Sequence, residues 1–291
     1  MLLNTLYDDK KLNVDKWVIT NCQYGTRFGS FAYGVSNESS DIDIIGFTIP
    51  PKEVIFPHTT GIIRDFGYQG KRFDQYQEHH IKYDDSKEYD ITIYSIIKYF
   101  QLCMGNNPNM IDSLFVPDRC IFHITNIGQM VRDKRKIFLH AGAWQKFKGY
   151  SYSQKNKMEN KNPTGKRKET VDKYGYDTKF AYHLVRLMNE IEQILIEGDL
   201  DLERNREQLK SIRRGEWTKE QIIKYFEDKE KLLEEAYAKT KLPWGPDEPE
   251  IKELLLNCLE HHYGSLDKVI KKSDRSTDLI NELEQLIERY K

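Results

Sequence analysis

The sequence predicts a mixed α+β fold: a small sheet-bearing part in residues 1–122 followed by a helical region in 123–291. Two observations carry that expectation. Runs rich in β-branched and aromatic residues, bounded by Gly, Pro, Ser and Asn, fall in the first part. From Thr125 onward the apolar residues Ile127, Met130, Val131 and Ile137 recur at helical spacing, and no internal repeat is found. A chain of 291 residues holds one large domain or two modest ones. Its 38% hydrophobic content and mean hydropathy of −0.72 are low, so the core must be economical and much of the helical surface exposed.

The net charge of −1 excludes a uniformly basic nucleic-acid coat but leaves room for local patches. No apolar run approaches the roughly 18 residues of a membrane span, and Met1-Leu2-Leu3-Asn4 lacks a charged segment leading into an apolar one. A soluble, cytoplasmic protein without membrane contact is therefore expected. Cys22, Cys103, Cys120 and Cys258 stand far apart, against a disulfide framework or a zinc ribbon. Cys258 with His261 and His262 reads as a core cysteine and surface histidines on one helix.

In chain order, Trp17-Val18-Ile19-Thr20 and Gln23-Tyr24-Gly25 suggest one or two strands, or a strand after a short helix. The turn Gly29-Ser30 then leads to Ser40-Asp41-Ile42-Asp43-Ile44-Ile45-Gly46. In a strand, alternation puts Asp41 and Asp43 on one face and Ile42 and Ile44 on the other. Paired carboxylates suit hard divalent cations such as Mg²⁺, which keep one or two protein carboxylates and fill their shell with water and phosphate oxygen. A Gly-Ser turn lets backbone N–H groups and a hydroxyl approach a phosphate. Singly, each part reads as a solvated strand face or a plain turn; the combination is what points to chemistry.

Pro50-Pro51 ends that strand. A hairpin insertion is expected over 61–83, around Tyr68-Gln69-Gly70-Lys71. There His79 and His80, being adjacent, should face opposite ways on a solvated hairpin, not share an ion. Glu88-Tyr89-Asp90-Ile91-Thr92-Ile93-Tyr94 reads as a strand with Glu88, Asp90 and Thr92 on one face, running into a helix. Gly105-Asn106-Asn107-Pro108-Asn109 reads as a helix stop, with an alternative role at the border of a cleft.

Further on, Lys146, Lys148, Lys155, Lys157, Lys161, Lys166, Arg167, Lys168 and Lys173 face few acids. With Tyr150, Tyr152 and Tyr174 among them, the segment reads either as a solubilising face or as a nucleic-acid contact. The part near 160–174 is expected to be a flexible basic loop. A long helix follows to about Glu197, with Lys179, His183 and Arg186 on one stripe, facing an anion or paired with acids such as Glu190. The remaining helices are expected over 204–213, 218–238, 249–263 and 277–290. The second opens on Thr218-Lys219-Glu220-Gln221, a capping-box pattern.

Gly29, Ser30, Ala32, Tyr33 and Gly34, followed by Ser40, Asp41 and Asp43, resemble the signature of the DNA polymerase beta-type nucleotidyltransferase superfamily. The closer resemblance is to its bacterial and phage "predicted nucleotidyltransferase" family. Tyr89-Asp90-Ile91-Thr92, the Asn-Pro segment, the Lys179/His183/Arg186 helix and Ile212-Arg213-Arg214-Gly215-Glu216-Trp217 are similar to that family too. The resemblance implies a catalytic core in 1–122 and a metal-dependent transfer of a nucleoside monophosphate from a nucleoside triphosphate, ATP among them, with release of pyrophosphate. It implies that Asp41, Asp43 and Asp90 hold two Mg²⁺ or Mn²⁺ ions and carry the catalysis. Gly29, Ser30, Lys179, His183 and Arg186 would bind the nucleotide. The basic segment favours an RNA 3′ end as acceptor, ahead of a protein hydroxyl or a small molecule. A catalytically degenerate nucleotide- or RNA-binding or antitoxin-like module is the second reading. Against it, a relic has no physical need for an intact Gly-Ser turn and three acids. Hydrolysis or phosphorolysis at the same site is a third.

Overall fold

The computed structural model describes residues 2–37, 40–56, 72–84, 87–161 and 164–264, together with positions 283 and 287. The turn expected at 68–71 and most of the helix expected over 277–290 lie outside the described residues. Two short helices, α1 (Leu2–Asp8) and α2 (Lys16–Thr20), precede strand β1 (Cys22–Arg27). Strand β2 (Ile42–Thr48) leads through α3 (Lys52–Ile55) toward the hairpin of β3 (Gln75–Asp84) and β4 (Lys87–Ser95). Helices α4 (Ile96–Met104) and α5 (Pro108–Phe115) follow, then β5 (Ile121–Ile124). From there the described chain is helical: α6 (Asn126–Asp133), α7 (Ala143–Asn160), α8 (Lys166–Tyr174), α9 (Thr178–Glu197), α10 (Arg206–Arg213), α11 (Lys219–Lys239) and α12 (Glu248–Tyr263). This is the mixed α+β class that the sequence predicts.

The strands form one mixed sheet in the order β3-β4-β2-β1-β5, in which β2 and β4 run parallel and the other pairs antiparallel. Alternation then sorts the side chains. Ile44, Ile91 and Ile93 pack with Leu3, Leu6, Val18 and Ile19 under the N-terminal helices. Phe47 on the opposite face joins a larger core with Tyr99, Trp144, Phe147, Leu184, Met188 and Phe226. That core draws on residues from both sides of position 122. Asp43, one residue from Ile44, is thereby turned toward the helical side.

Helices α5, α9 and α11 each start on a side-chain cap, which satisfies N–H groups that have no partner within the helix. Asn107 accepts from Asn109 N and Met110 N at the start of α5, so the predicted helix stop is also a helix start. Asp177 accepts from Lys179 N and Phe180 N to begin α9, which ends at left-handed Gly198. Thr218 and Gln221 form the expected capping box on α11. The segment near 160–174 differs from its expectation as a flexible loop. Helix α7 continues to Asn160 and α8 occupies Lys166–Tyr174, closed by Gly175 at φ 80°. Arg167 and Lys161 lie 4.6 and 5.5 Å from the centroid of the Phe180 ring, and Arg167 Nη1 lies 3.6 Å from Asp177 Oδ2.

Candidate active site

The turn after β1 is built by the strand beside it. Phe28 N donates to Asp43 O at 2.7 Å, and residues 29–35 then wind back through Ala32 N to Gly29 O (3.0 Å) and Val35 N to Ser30 O (2.9 Å). The amides of Gly29, Ser30 and Phe31 and the Ser30 hydroxyl have no hydrogen-bond partner among the described residues. Successive unpartnered N–H groups in a turn make a concavity suited to an anion. Gly29 is required here twice over. Its φ of 61° is left-handed, and a Cβ on it would lie 2.0 Å from Asp43 Oδ2.

The parallel register pairs Asp43 with Asp90, so two carboxylates from neighbouring strands sit side by side. With Asp41 they line one cavity of about 340 Å³, together with Gly29 and Ser30 from the turn. Burial, then the charge of Asp90 and, more weakly, of Asp41, push the Asp43 carboxyl up to about 6, with Lys179 opposing. Crowded anionic oxygens of this kind fit a hard divalent cation. Among the described residues no group of three or more His, Cys, Asp and Glu side chains stands at metal-holding spacing by itself.

Helix α9 supplies the opposite wall, where Lys179, His183 and Arg186 all line the cavity. The Lys179 ammonium makes no ion pair among the described residues, so its charge is available to a ligand. His183 differs from its expectation as one of three cations. Burial and the charges of Arg186, Lys179, Arg213 and Arg167 hold it well below the usual imidazole range, so it offers a neutral hydrogen-bonding ring. Arg186 faces two ways. Its Nη1 donates to Tyr33 Oη (2.6 Å), to Asp112 Oδ2 and to Glu190 Oε1 (3.1 Å), while Nη2 makes no hydrogen bond among the described residues. Glu190, read from sequence as a surface partner, is buried and pushed well above the carboxylate range by desolvation despite Arg186.

Strand β3 departs from the alternation expected of it. Glu78 pairs with Ile91 and Ile81 with Tyr89, so His79 and His80 together oppose the single residue Asp90. This is a β-bulge, with His80 at φ 56°. The two histidines consequently do not face opposite ways across a plain hairpin. His79 Nδ1 lies 3.3 Å from Asp90 Oδ2 and His80 N donates to Asp90 Oδ1 at 2.9 Å.

The cavity also takes in residues that are not among the expected catalytic and nucleotide-binding residues. Asn109, in the first turn of α5, lines it, in keeping with the cleft-border alternative for the Asn-Pro segment. Tyr182 and Arg213 line it as well; Arg213 lies over the Tyr182 ring and donates to Val35 O at 2.6 Å, tying α10 to the end of the turn. Of the basic segment, Lys148 is taken up by Glu230 and Glu234 of α11, and Lys155 lies against Phe226. Lys161 and Arg167 remain beside the start of α9.

Three comparisons bear on this arrangement. The family model for RlaP, the RNA repair pathway DNA polymerase beta family, matches residues 13–284. Among solved structures, one similar chain is a nucleotidyltransferase-like protein from Exiguobacterium sibiricum 255-15. It is 12% identical over 94% of this chain and 79% of that one, with a TM-score of 0.28. No curated protein matches.

Proposed function

The chain belongs to the RNA repair pathway DNA polymerase beta family, and from that premise we propose that it moves a nucleoside monophosphate from a triphosphate onto the 3′ hydroxyl of RNA. The observation that carries the proposal is one cavity in which Asp41, Asp43 and Asp90 meet a Gly29–Ser30 turn with unpartnered amides, across from Lys179. The turn amides and the Ser30 hydroxyl hold the β- and γ-phosphates. Lys179 and the open side of Arg186 offset their charge, and neutral His183 orients a ligand by hydrogen bonding. Divalent cations, Mg²⁺ or Mn²⁺, would be held by Asp41, Asp43 and Asp90 and would supply charge neutralisation and a more acidic acceptor hydroxyl.

In the transfer, the acceptor oxygen forms its bond to the α-phosphorus. The bond from that phosphorus to the bridging oxygen breaks, and pyrophosphate leaves with the electron pair. The hydroxyl proton passes to the Asp90 carboxylate. RNA is favoured as acceptor by the family description and by the cations Lys161 and Arg167, which lie against Phe180 at the start of α9, Arg167 with Asp177 as its ion-pair partner.

The test is incubation with each labelled triphosphate, Mg²⁺ or Mn²⁺, and short RNAs ending in a free or a phosphorylated 3′ hydroxyl. Label is expected only on the free 3′ end, and Asp41→Ala is expected to lower the rate by ~10³-fold or more, the loss of about 4 kcal/mol of transition-state stabilisation. Label found in the protein instead would replace RNA by a protein hydroxyl as acceptor. Undiminished turnover in Asp41→Ala would remove the site assignment.

A further inference from the structure

We infer that His79 is a positioning residue for Asp90: the β3–β4 register sets its imidazole beside one carboxylate oxygen, the bulge brings the His80 amide onto the other, and the two fix which way that carboxylate points. The inference rests on the transferase reading of the same site, and it starts from a local irregularity. The ladder between β3 and β4 runs regularly from Gln75 to Glu78, and the extra residue enters opposite Asp90. Bulges next to active sites re-aim side chains. This one also holds a non-glycine residue, His80, at φ 56°, a conformation that persists only where surrounding contacts over-determine it.

Those contacts converge on Asp90. His80 N donates to Oδ1 at 2.9 Å, and the His80 ring, at Nδ1, lies 3.0 Å from Glu88 Oε2, fastening the bulge to β4. His79 Nδ1 lies 3.3 Å from the other oxygen, Oδ2. On its far side His79 Nε2 is 2.8 Å from Gln77 Nε2. An amide nitrogen can only donate, so Nε2 must accept, which leaves the ring proton on Nδ1, facing Asp90. Gln77, His79 and Asp90 thus form a directed chain. Each Asp90 oxygen retains a lone pair on the cavity side while rotation of the carboxylate is opposed from the β3 side. Outer partners of this sort orient the groups that touch a metal or substrate.

The experiment combines a spectroscopic and a kinetic reading. Long-range ¹H–¹⁵N spectra of the metal-free protein at about pH 8, where free imidazole is neutral, should show His79 with its proton on Nδ1. Gln77→Ala should weaken that preference. His79→Ala should lower kcat by ~10- to 100-fold with the triphosphate KM unchanged, and should weaken Mn²⁺ binding measured by electron paramagnetic resonance without nucleotide. His79→Asn keeps an N–H donor near the Nδ1 position and should restore most of both.

A His79 proton on Nε2, wild-type kcat in His79→Ala, or equal damage in His79→Asn and His79→Ala would each overturn the inference. If neither wild type nor Asp41→Ala transfers any nucleotide, the transferase reading fails instead. The tautomer and the Mn²⁺ affinity still decide the role of His79 in that case.

Discussion

Asp43 shows at the scale of one residue what the site costs when nothing is bound. Its carboxyl is pushed up to about 6 from an ordinary 3.8, so the folded chain holds this proton more tightly than the unfolded chain does. The sign follows. Stability from this group is complete below the unfolded value and is lost as pH rises through about 6, with a limit of roughly 3 kcal/mol for about two pK units. In EDTA, Asp43→Asn should therefore raise the thermal midpoint at about pH 7.5 and lose that advantage toward pH 4. Mg²⁺ with a triphosphate should stabilise the wild type and not the variant, since only the wild type keeps the ligand. Differential scanning fluorimetry across pH, with and without the ion, reads both effects. That Asp41 and Asp43 line one cavity was legible because a spacing of two is a local signal, although Asp41 stands just before β2. The lowering of the His183 imidazole was not, because it comes first from burial by elements remote in sequence, with Arg213 and Arg167 of two other helices adding to the charges of its own helix.

Among the elements, the turn over 29–35 makes the sharpest case. Gly29→Ala would force a Cβ against Asp43 Oδ2 and strain a left-handed backbone, together about 1–3 kcal/mol of stability. Because the same turn offers its amides to a phosphate, triphosphate affinity measured by calorimetry should fall with it. Ser30→Ala, which leaves the turn unstrained, should lose affinity without a change in urea midpoint. This turn and β2 could be read from sequence, since Gly-Ser and the Asp-Ile-Asp alternation are both local signals. The bulge in β3 could not. A period of two assumes an unbroken register, and register is set by the neighbouring strand. Helix α8 escaped for another reason: none of its residues over 167–174 is buried, so it carries no apolar stripe for a pattern to detect.

Across the whole molecule, Arg186 is a buried point where the sheet-bearing part and the helical part meet through charge. From α9 it reaches Asp112 on α5 and Tyr33 on the turn, with Asp112 Oδ1 and its own Nε making no hydrogen bond among the described residues. Arg186→Met leaves the Asp112 carboxylate buried without its cation and should cost about 3–5 kcal/mol in urea unfolding. Glu190→Gln should cost far less than Arg186→Met in the same measurement, because burial raises the Glu190 carboxyl and disfavours its charged form. The stripe on α9 was legible as a spacing, yet its buried acid on α5 lies 74 positions away and no periodicity connects the two. Family membership over 13–284 fits this integration, since the match runs through both parts.

The sheet also has an outer rim to protect. Among the described strands β3 is the outermost on its side, ten residues long, and a flat rim of that length invites a stray chain to add itself. The kink at His79–His80 breaks that template midway, so the irregularity that steers a carboxylate inward should also discourage intermolecular aggregation along the hairpin.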